Sequence, residues 1–250
     1  MADNNLKVVI LAAGKGKRLQ SENTHIPKAM RKANGKPLLH YVLKSVDFVD
    51  KKDIIIVVGY LKEMIMEAFP EYTFVVQEEQ LGTGHAVKCA EKEVGDFSGN
   101  ILVLMGDMPL ITRKNLLNLI YEHEKNNNDC TNLSYEINEL LVLGRIIRNE
   151  NEKFCGIIEN KDCTDEQLKI TEYNSGNAVF NSKKLFKHLT DLRNNNKSGE
   201  YYLTDIPKLF IENNYNVGVF KSRDDKEIYG VSSEEDLNFI EKILKQSSAK

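Results

Sequence analysis

Apolar residues fall into short unbroken runs and helical stripes that alternate along the first half of the chain. Val8-Val9-Ile10-Leu11-Ala12-Ala13 has no polar residue and is followed by glycines, as expected of a strand buried on both faces. From Pro37 the apolar positions become Leu38, Leu39, Val42, Leu43, Val46 and Val49, a helical spacing with proline in the favoured first turn. Residues 53–58 form a second buried strand, and a short helix over about 61–69 stops before Pro70. A third strand over 73–76 precedes a helix near 84–94, and a fourth over 100–105 precedes a helix from Thr112. This order predicts an α/β fold: a Rossmann-like, mostly parallel sheet covered by helices on both faces, with right-handed crossovers. Ligands in such sheets sit at the carboxyl ends of the strands, which singles out Gly14-Lys15-Gly16, Gln77 and Asp107.

After Asn126-Asn127-Asn128-Asp129 the pieces shorten. Residues 130–137, 144–148, 154–159 and 177–181 predict a smaller mixed or antiparallel β extension. Helices return near 182–192 and 203–213, a strand near 217–221 follows, and a closing helix starts at Ser232. Ser232 and Glu235 have capping-box spacing, and Leu237, Ile240 and Leu244 mark one apolar stripe.

Composition narrows the function classes. The 250 residues carry 34 Lys plus Arg against 37 Asp plus Glu, a net charge of −3. That balance does not suit a general binder of nucleic acid or membrane surfaces. Hydrophobic residues at 41% and charged residues at 28% are ordinary for a globular chain. No apolar run reaches the roughly 20 residues of a membrane helix. Met1 to Asn5 is polar and lacks the charged-then-apolar pattern of a secretory signal, so a cytoplasmic location is expected. Cys89, Cys130, Cys155 and Cys163 match no zinc spacing and are expected to be reduced thiols, and the five histidines form no metal pair.

The strongest local signal is Leu11-Ala12-Ala13-Gly14-Lys15-Gly16-Lys17-Arg18. Glycines after a strand allow close backbone approach to phosphate, and successive N–H groups form an anion-binding concavity. Taken alone, this Gly-x-Gly also fits a plain strand-ending turn. It is not a Walker A loop, because Gly16 follows Gly14-Lys15 where Ser or Thr is required. It is not a dinucleotide fingerprint, because Leu19 stands at the third glycine and Val58-Gly59-Tyr60 lacks the acid. Lys28, after the stiff Pro27, fits equally a phosphate contact and a surface lysine. Asp107 lies just past the fourth strand, where an acid commonly serves Mg²⁺ bridging nucleotide phosphates. Gln77, Gly82 and Thr83 combine an amide with a close-approach glycine and so suit either a nucleobase edge or a strand-to-helix turn.

Together the segments resemble one family. LAAGKGKR (11–18), PK (27–28), GKP (35–37), QEEQLGTGHAV (77–87), GDMPLI (106–111), GRIIR (144–148), GIIENKD (156–162), EYNSGNAVF (172–180), GEYYLTD (199–205) and GV (230–231) occur in family order. They are similar to the uridylyltransferase domain that makes UDP-N-acetylglucosamine from UTP and N-acetylglucosamine 1-phosphate, within the sugar-nucleotide transferase superfamily. The resemblance implies a single nucleotidyltransferase domain over 1–250. About 7–125 is its nucleotide-binding half, about 130–231 its sugar-binding half with the mixed β extension, and 232–246 its closing helix. It implies that Leu11, Ala12, Ala13 and Gly14 hold the nucleotide, with Arg18 and Lys28 acting catalytically on its phosphates. Gln77 and Gly82 would contact uracil, with Thr83 near nucleotide and sugar. Gly144, Glu159 and Asn174 would contact the sugar, with Tyr202 lining its pocket. Asp107 and Ser232 would bind Mg²⁺.

The sequence departs from the family pattern at Lys17, Met105, Leu143 and Ser232, where Thr, Tyr, Tyr and Asn are usual. Ser232 is read either as a metal ligand or as a helix cap. Bifunctional relatives continue into a β-helix that acetylates and trimerises; neither that activity nor that route to a trimer is expected here. The expected partners are UTP and a sugar 1-phosphate, with no nucleic acid and no membrane. Two further readings stand beside this one: the same fold with another sugar 1-phosphate or a phosphoalcohol, and a non-catalytic nucleotide-binding protein.

Overall fold

A computed structural model describes residues 5–16, 19 and 24–248. Among the described residues, nine strands form one sheet in the order β11-β7-β10-β6-β1-β4-β5, with β8 and β9 attached through β10. The parallel core comprises β1 (Leu6–Ala12), β4 (Ile54–Val58), β5 (Thr73–Val76) and β6 (Asn100–Met105), as the apolar runs predict. A small hairpin pairs β2 (Lys32–Ala33) with β3 (Lys36–Pro37). The second half adds β7 (Cys130–Glu136), β8 (Arg145–Arg148), β9 (Phe154–Ile158), β10 (Glu172–Asn181) and β11 (Val217–Ser222). β10 runs against both β6 and β7, while β11 is parallel to β7. The expected extension therefore divides: β7, β10 and β11 widen the main sheet, and β8 and β9 form a hairpin at its margin.

Alternation along the strands sorts the core into two layers. Val8, Ile10, Ile54, Ile56, Leu102 and Leu104 face helices α1 (Leu38–Ser45), α2 (Lys62–Ala68) and, further along the chain, α5 (Arg113–Lys125). Val9, Ile55, Val57, Ile101 and Val103 face α3 (Thr83–Cys89), α4 (Glu91–Val94), α6 (Ser182–Leu189) and α7 (Ile206–Glu212). Burying each such side chain contributes about 1.5–3 kcal/mol, so both layers are needed to hold the strand ends in place. The closing helix α8 (Glu234–Ser248) sets Leu237 and Ile240 against Leu19, Ala33, Leu38 and Val231.

Four boundaries differ from the sequence reading. The helix expected near 84–94 is broken at Ala90 into α3 and α4, and that expected over 182–192 ends at Leu189. β10 begins at Glu172 rather than Asn177, because the polar run Glu172 to Ser175 is buried and hydrogen-bonded laterally. The closing helix starts at Glu234, so its cap is Ser233 and not Ser232. The Ser233 hydroxyl accepts from Asp236 N–H (3.1 Å), and Asp236 Oδ2 accepts from Ser233 N–H (2.9 Å) and Ser232 N–H (2.8 Å). The capping box is Ser233–Asp236, which replaces the expected Ser232–Glu235. The four cysteines are free thiols. Among the described residues no helix is long and apolar enough to cross a membrane.

Candidate active site

Because β1, β4, β5 and β6 are parallel, their carboxyl ends open on one edge. A cavity of about 620 Å³ lies there. Leu11, Ala12, Ala13, Gly14, Lys28, Gln77, Gly82, Thr83 and Asp107 all line it, joined by Met105 and Glu200. Nine of the residues singled out in the sequence thus meet in one cleft. Arg18 lies outside the described residues.

Each wall has a local cause. Among the described residues, a Cβ placed on Gly14 would meet nothing within 4 Å, so the main chain there is open to the cleft. Gly106 lets the turn after β6 lie against β1: its N–H donates to Leu11 O at 3.0 Å, and a Cβ would sit 3.0 Å from that same oxygen. Asn177, fully buried, accepts from Met105 N–H at 3.0 Å where β10 leaves β6, and so fixes the turn that carries Asp107. Sequence reading missed Asn177; a polar residue inside a strand gives no signal of a cap on its neighbour. Lys28 enters on a short 3-10 turn after Pro27, and its ammonium pairs with Asp107 Oδ2. The Asp107 carbonyl accepts from Val231 N–H at 2.9 Å, which puts Ser232 next to the acidic turn.

The opposite wall is the loop after β5. Gln77 is 3% exposed, and its side-chain amide donates to Gly82 O (3.1 Å) and faces His85 Nδ1 (3.0 Å). The amide nitrogen is thereby committed to the loop, and the carboxamide oxygen is the group left for a ligand. Gly82 adopts φ +114° and ψ 175°, a region open essentially to glycine alone. Segment 200–204 docks on this loop. Tyr201 N–H donates to Leu81 O (2.8 Å), Gly84 N–H donates to Tyr201 O (2.8 Å), and Leu203 N–H donates to Thr83 Oγ1 (3.0 Å).

Gly144, Glu159 and Asn174 form a second cluster outside the cavity lining. Asn174 N–H donates to Gly144 O at 2.9 Å, and a Cβ on Gly144 would lie 3.5 Å from Glu159 Oε2. Glu159 Oε1 accepts from Thr204 Oγ1 at 2.8 Å, so segment 200–204 ties this cluster to the Gly82–Thr83 loop. Burial raises the Glu159 carboxyl above its ordinary range, and Asp205, Asp162 and Glu200 push the same way against the Thr204 hydrogen bond. Tyr202 is half-buried at the head of the turn Leu203–Asp205, its phenol raised chiefly by burial.

Residues 8–204 match the MobA-like NTP transferase domain. The chain is 40% identical over 239 residues to the bifunctional protein GlmU of Streptococcus uberis, covering 95% of this chain and 52% of that protein. It is 40% identical over 243 residues to the GlmU of Streptococcus agalactiae serotype V, covering 97% and 52%. The chain spans about half the length of these relatives. A solved UDP-glucose pyrophosphorylase complexed with UDP-glucose superposes with a TM-score of 0.76 at 18% identity, over 96% of this chain and 98% of that one. A Bacillus anthracis protein assigned as a glucose-1-phosphate thymidylyltransferase gives 0.75 at 18% identity, over 95% and 94%. At that identity the likeness concerns the fold, a mostly parallel sheet flanked by helices.

Proposed function

The chain belongs to the MobA-like NTP transferase family, and from that premise we propose that it transfers a uridylyl group from UTP to N-acetylglucosamine 1-phosphate. The products are UDP-N-acetylglucosamine and pyrophosphate. A phosphate oxygen of the acceptor attacks the α-phosphorus in line, and the bond from that phosphorus to pyrophosphate breaks. The acceptor is already an anionic nucleophile, so no Ser, Cys or His needs activation. What the protein supplies is positive charge and alignment.

In this reading the open backbone at residues 11–14 holds the nucleotide, and Lys28 and Arg18 meet the charge on its phosphates. The Gln77 carboxamide oxygen accepts from the uracil N–H, and Gly82 allows the base to approach. Thr83 sits where nucleotide and sugar meet. Gly144, Glu159 and Asn174 hold the sugar, with Tyr202 beside them. The halves 7–125 and 130–231 are then nucleotide side and acceptor side of one domain. Mg²⁺ is the metal of this reading, and when bound it neutralises phosphate charge. Asp107 would hold it, with the Ser232 hydroxyl as neighbour. This donor set suits it: hard oxygens only, with one carboxylate for a cation that keeps waters and shares phosphates. The Lys28 ammonium on Asp107 Oδ2 supports it too, since that carboxylate already faces a cation.

The observation that carries the proposal is segment 200–204, which touches the Gly82–Thr83 loop at one end and Glu159 at the other. It gives a nucleotide loop and an acceptor cluster one shared support. The test is pyrophosphate release from purified protein with four NTPs, a panel of sugar 1-phosphates and Mg²⁺. UTP with N-acetylglucosamine 1-phosphate should be fastest; a clear preference for another NTP, or for a phosphoalcohol, would overturn the reading.

A further inference from the structure

Arg145 is among the largest fully buried side chains, at 2% exposure. Among the described residues no carboxylate lies within ion-pair distance of it, and its Nε has no hydrogen-bond partner. Burying an unpaired guanidinium is costly, so the dipoles that surround it must do the compensating. One terminal nitrogen donates to Leu143 O and to Asn160 Oδ1 (3.2 Å), and the other to Leu168 O (3.4 Å). The guanidinium stands 4.5 Å from the centre of the Tyr173 ring. The Tyr173 hydroxyl continues the brace: it donates to Glu139 O (2.8 Å) and accepts from Leu141 N–H (3.1 Å). The backbone pairs Arg145 with Ile158 on one side and Tyr173 on the other.

The three residues assigned to the sugar are each the chain neighbour of a member of this network. Gly144 precedes Arg145, Glu159 precedes Asn160, and Asn174 follows Tyr173. They come from three separate segments, and the Arg145 side chain contacts a neighbour in each: Leu143, Asn160 and Tyr173. We propose that Arg145 is a positioning residue for the acceptor: its planar fork and the Tyr173 ring hold Gly144, Glu159 and Asn174 in a single arrangement. The proposal rests on the reading that those three residues hold the sugar 1-phosphate. Arg145 itself does not touch substrate. Lysine cannot replace it, because an ammonium lacks the fixed fork that reaches Leu143, Asn160 and Leu168 together.

The test separates bracing from general stability and from the identity of the acceptor. Arg145→Lys, Tyr173→Phe and Asn160→Ala are compared with wild type, Tyr173→Phe removing the two hydroxyl hydrogen bonds and Asn160→Ala the acceptor for Arg145, each from a fold that should persist. With whichever acceptor the wild type turns over fastest, Arg145→Lys should raise acceptor KM about tenfold or more, and the milder variants several-fold, since small misplacements at a reacting centre are expensive. The UTP Kd, measured by calorimetry with Mg²⁺, should stay within about twofold in all three, because the nucleotide loop is on another wall. Hydrogen exchange of the ligand-free variants supplies a readout that needs no acceptor: residues 138–144 and 160–169 should exchange faster while 77–84 do not. Wild-type acceptor KM in Arg145→Lys, or equal changes in acceptor KM and UTP Kd, would overturn the proposal. So would unaltered exchange in the two braced segments, even if the protein uses no sugar phosphate at all. A wild type that transfers to none of the acceptors, with the exchange result intact, would instead strike the functional reading.

Discussion

Replacing Gly82 by alanine tests whether segment 200–204 couples the Gly82–Thr83 loop to the Glu159 cluster. The residue sits at φ +114° and ψ 175°, where a side chain costs roughly 1–3 kcal/mol. A Cβ there would lie 2.6 Å from Tyr201 O and 2.8 Å from Tyr201 N, main-chain atoms that cannot rotate away. The contact has to open, which breaks the hydrogen bonds from Tyr201 N–H to Leu81 O and from Gly84 N–H to Tyr201 O. Two such bonds contribute about 1 kcal/mol each, so the local cost is about 3–5 kcal/mol. The segment can lift without unfolding the sheet, so the loss should appear in turnover more than in Tm. A misalignment worth about 3 kcal/mol in the transition state lowers kcat/KM on the order of a hundredfold. Gly14→Ala is the matching control. Among the described residues its Cβ meets no atom within 4 Å, so Tm should hold while the methyl group crowds the nucleotide and weakens UTP binding. Steady-state pyrophosphate release over both substrates, with thermal melts, reads all of this. If Gly82→Ala keeps kcat/KM within about threefold of wild type, or Gly14→Ala loses as much Tm as Gly82→Ala, the coupling argument fails.

Asp107→Asn should keep the fold and lower turnover about a hundredfold or more at saturating Mg²⁺, as loss of one preorganised charged contact does; near-normal turnover would remove Asp107 from the metal site. Ser233→Ala should lower stability by about 1 kcal/mol in urea melts and Ser232→Ala should not, since Ser233 is the cap. In a Mg²⁺ titration of initial rate, Ser232→Asn should reduce the concentration needed for half-maximal rate, and curves identical to wild type would exclude Ser232 as a ligand. Burial lowers His123 from 6.5 to about 4, so between those values the unfolded chain binds the extra proton and stability falls as pH drops from about 6.5 to about 4. The swing is about 3 kcal/mol, and His123→Gln should flatten it in urea melts at successive pH values; an unchanged slope would refute the assignment.

The cleft edge at residues 11–14, Gln77 and Asp107 was legible because its chemistry stands where the strand pattern ends. Runs such as residues 54–58 can only be buried strands, and their alternate side chains supply the two core layers. Once the order is parallel, residues 11–14, Gln77 and Asp107 must share an edge. The Gly144–Glu159–Asn174 cluster was less legible because its strand β10 is polar. Glu172, Asn174, Ser175 and Asn177 are all buried in β10, where alternation reads polar residues as solvent-facing. They are satisfied sideways: Glu172 takes both nitrogens of the Arg148 fork at 2.9 Å and the Ser134 hydroxyl at 2.8 Å. Burial pushes the Glu172 carboxyl up, yet Arg148, Ser134 and Lys221 together hold it below its ordinary range. No local pattern reports a partner that lies 24 or 38 positions away in the chain.

The start of the closing helix shows the same limit at single-residue scale. Ser232 with Glu235 and Ser233 with Asp236 both satisfy the capping-box spacing, so the motif fits two registers. Tertiary contacts choose between them. Val231 is fully buried against Leu19, Leu38 and Ile240, and its N–H is taken by the Asp107 carbonyl. Those contacts hold the chain against the core and the Asp107 turn at Val231, and the helix begins only after Ser233. The choice has a chemical consequence. A cap at Ser232 would engage its hydroxyl with the helix N–H groups; with the cap at Ser233 the Ser232 hydroxyl has no capping role, and under the proposed reading it would be the second hard donor to Mg²⁺ besides Asp107. The register of a surface helix thus decides which serine is available to the site.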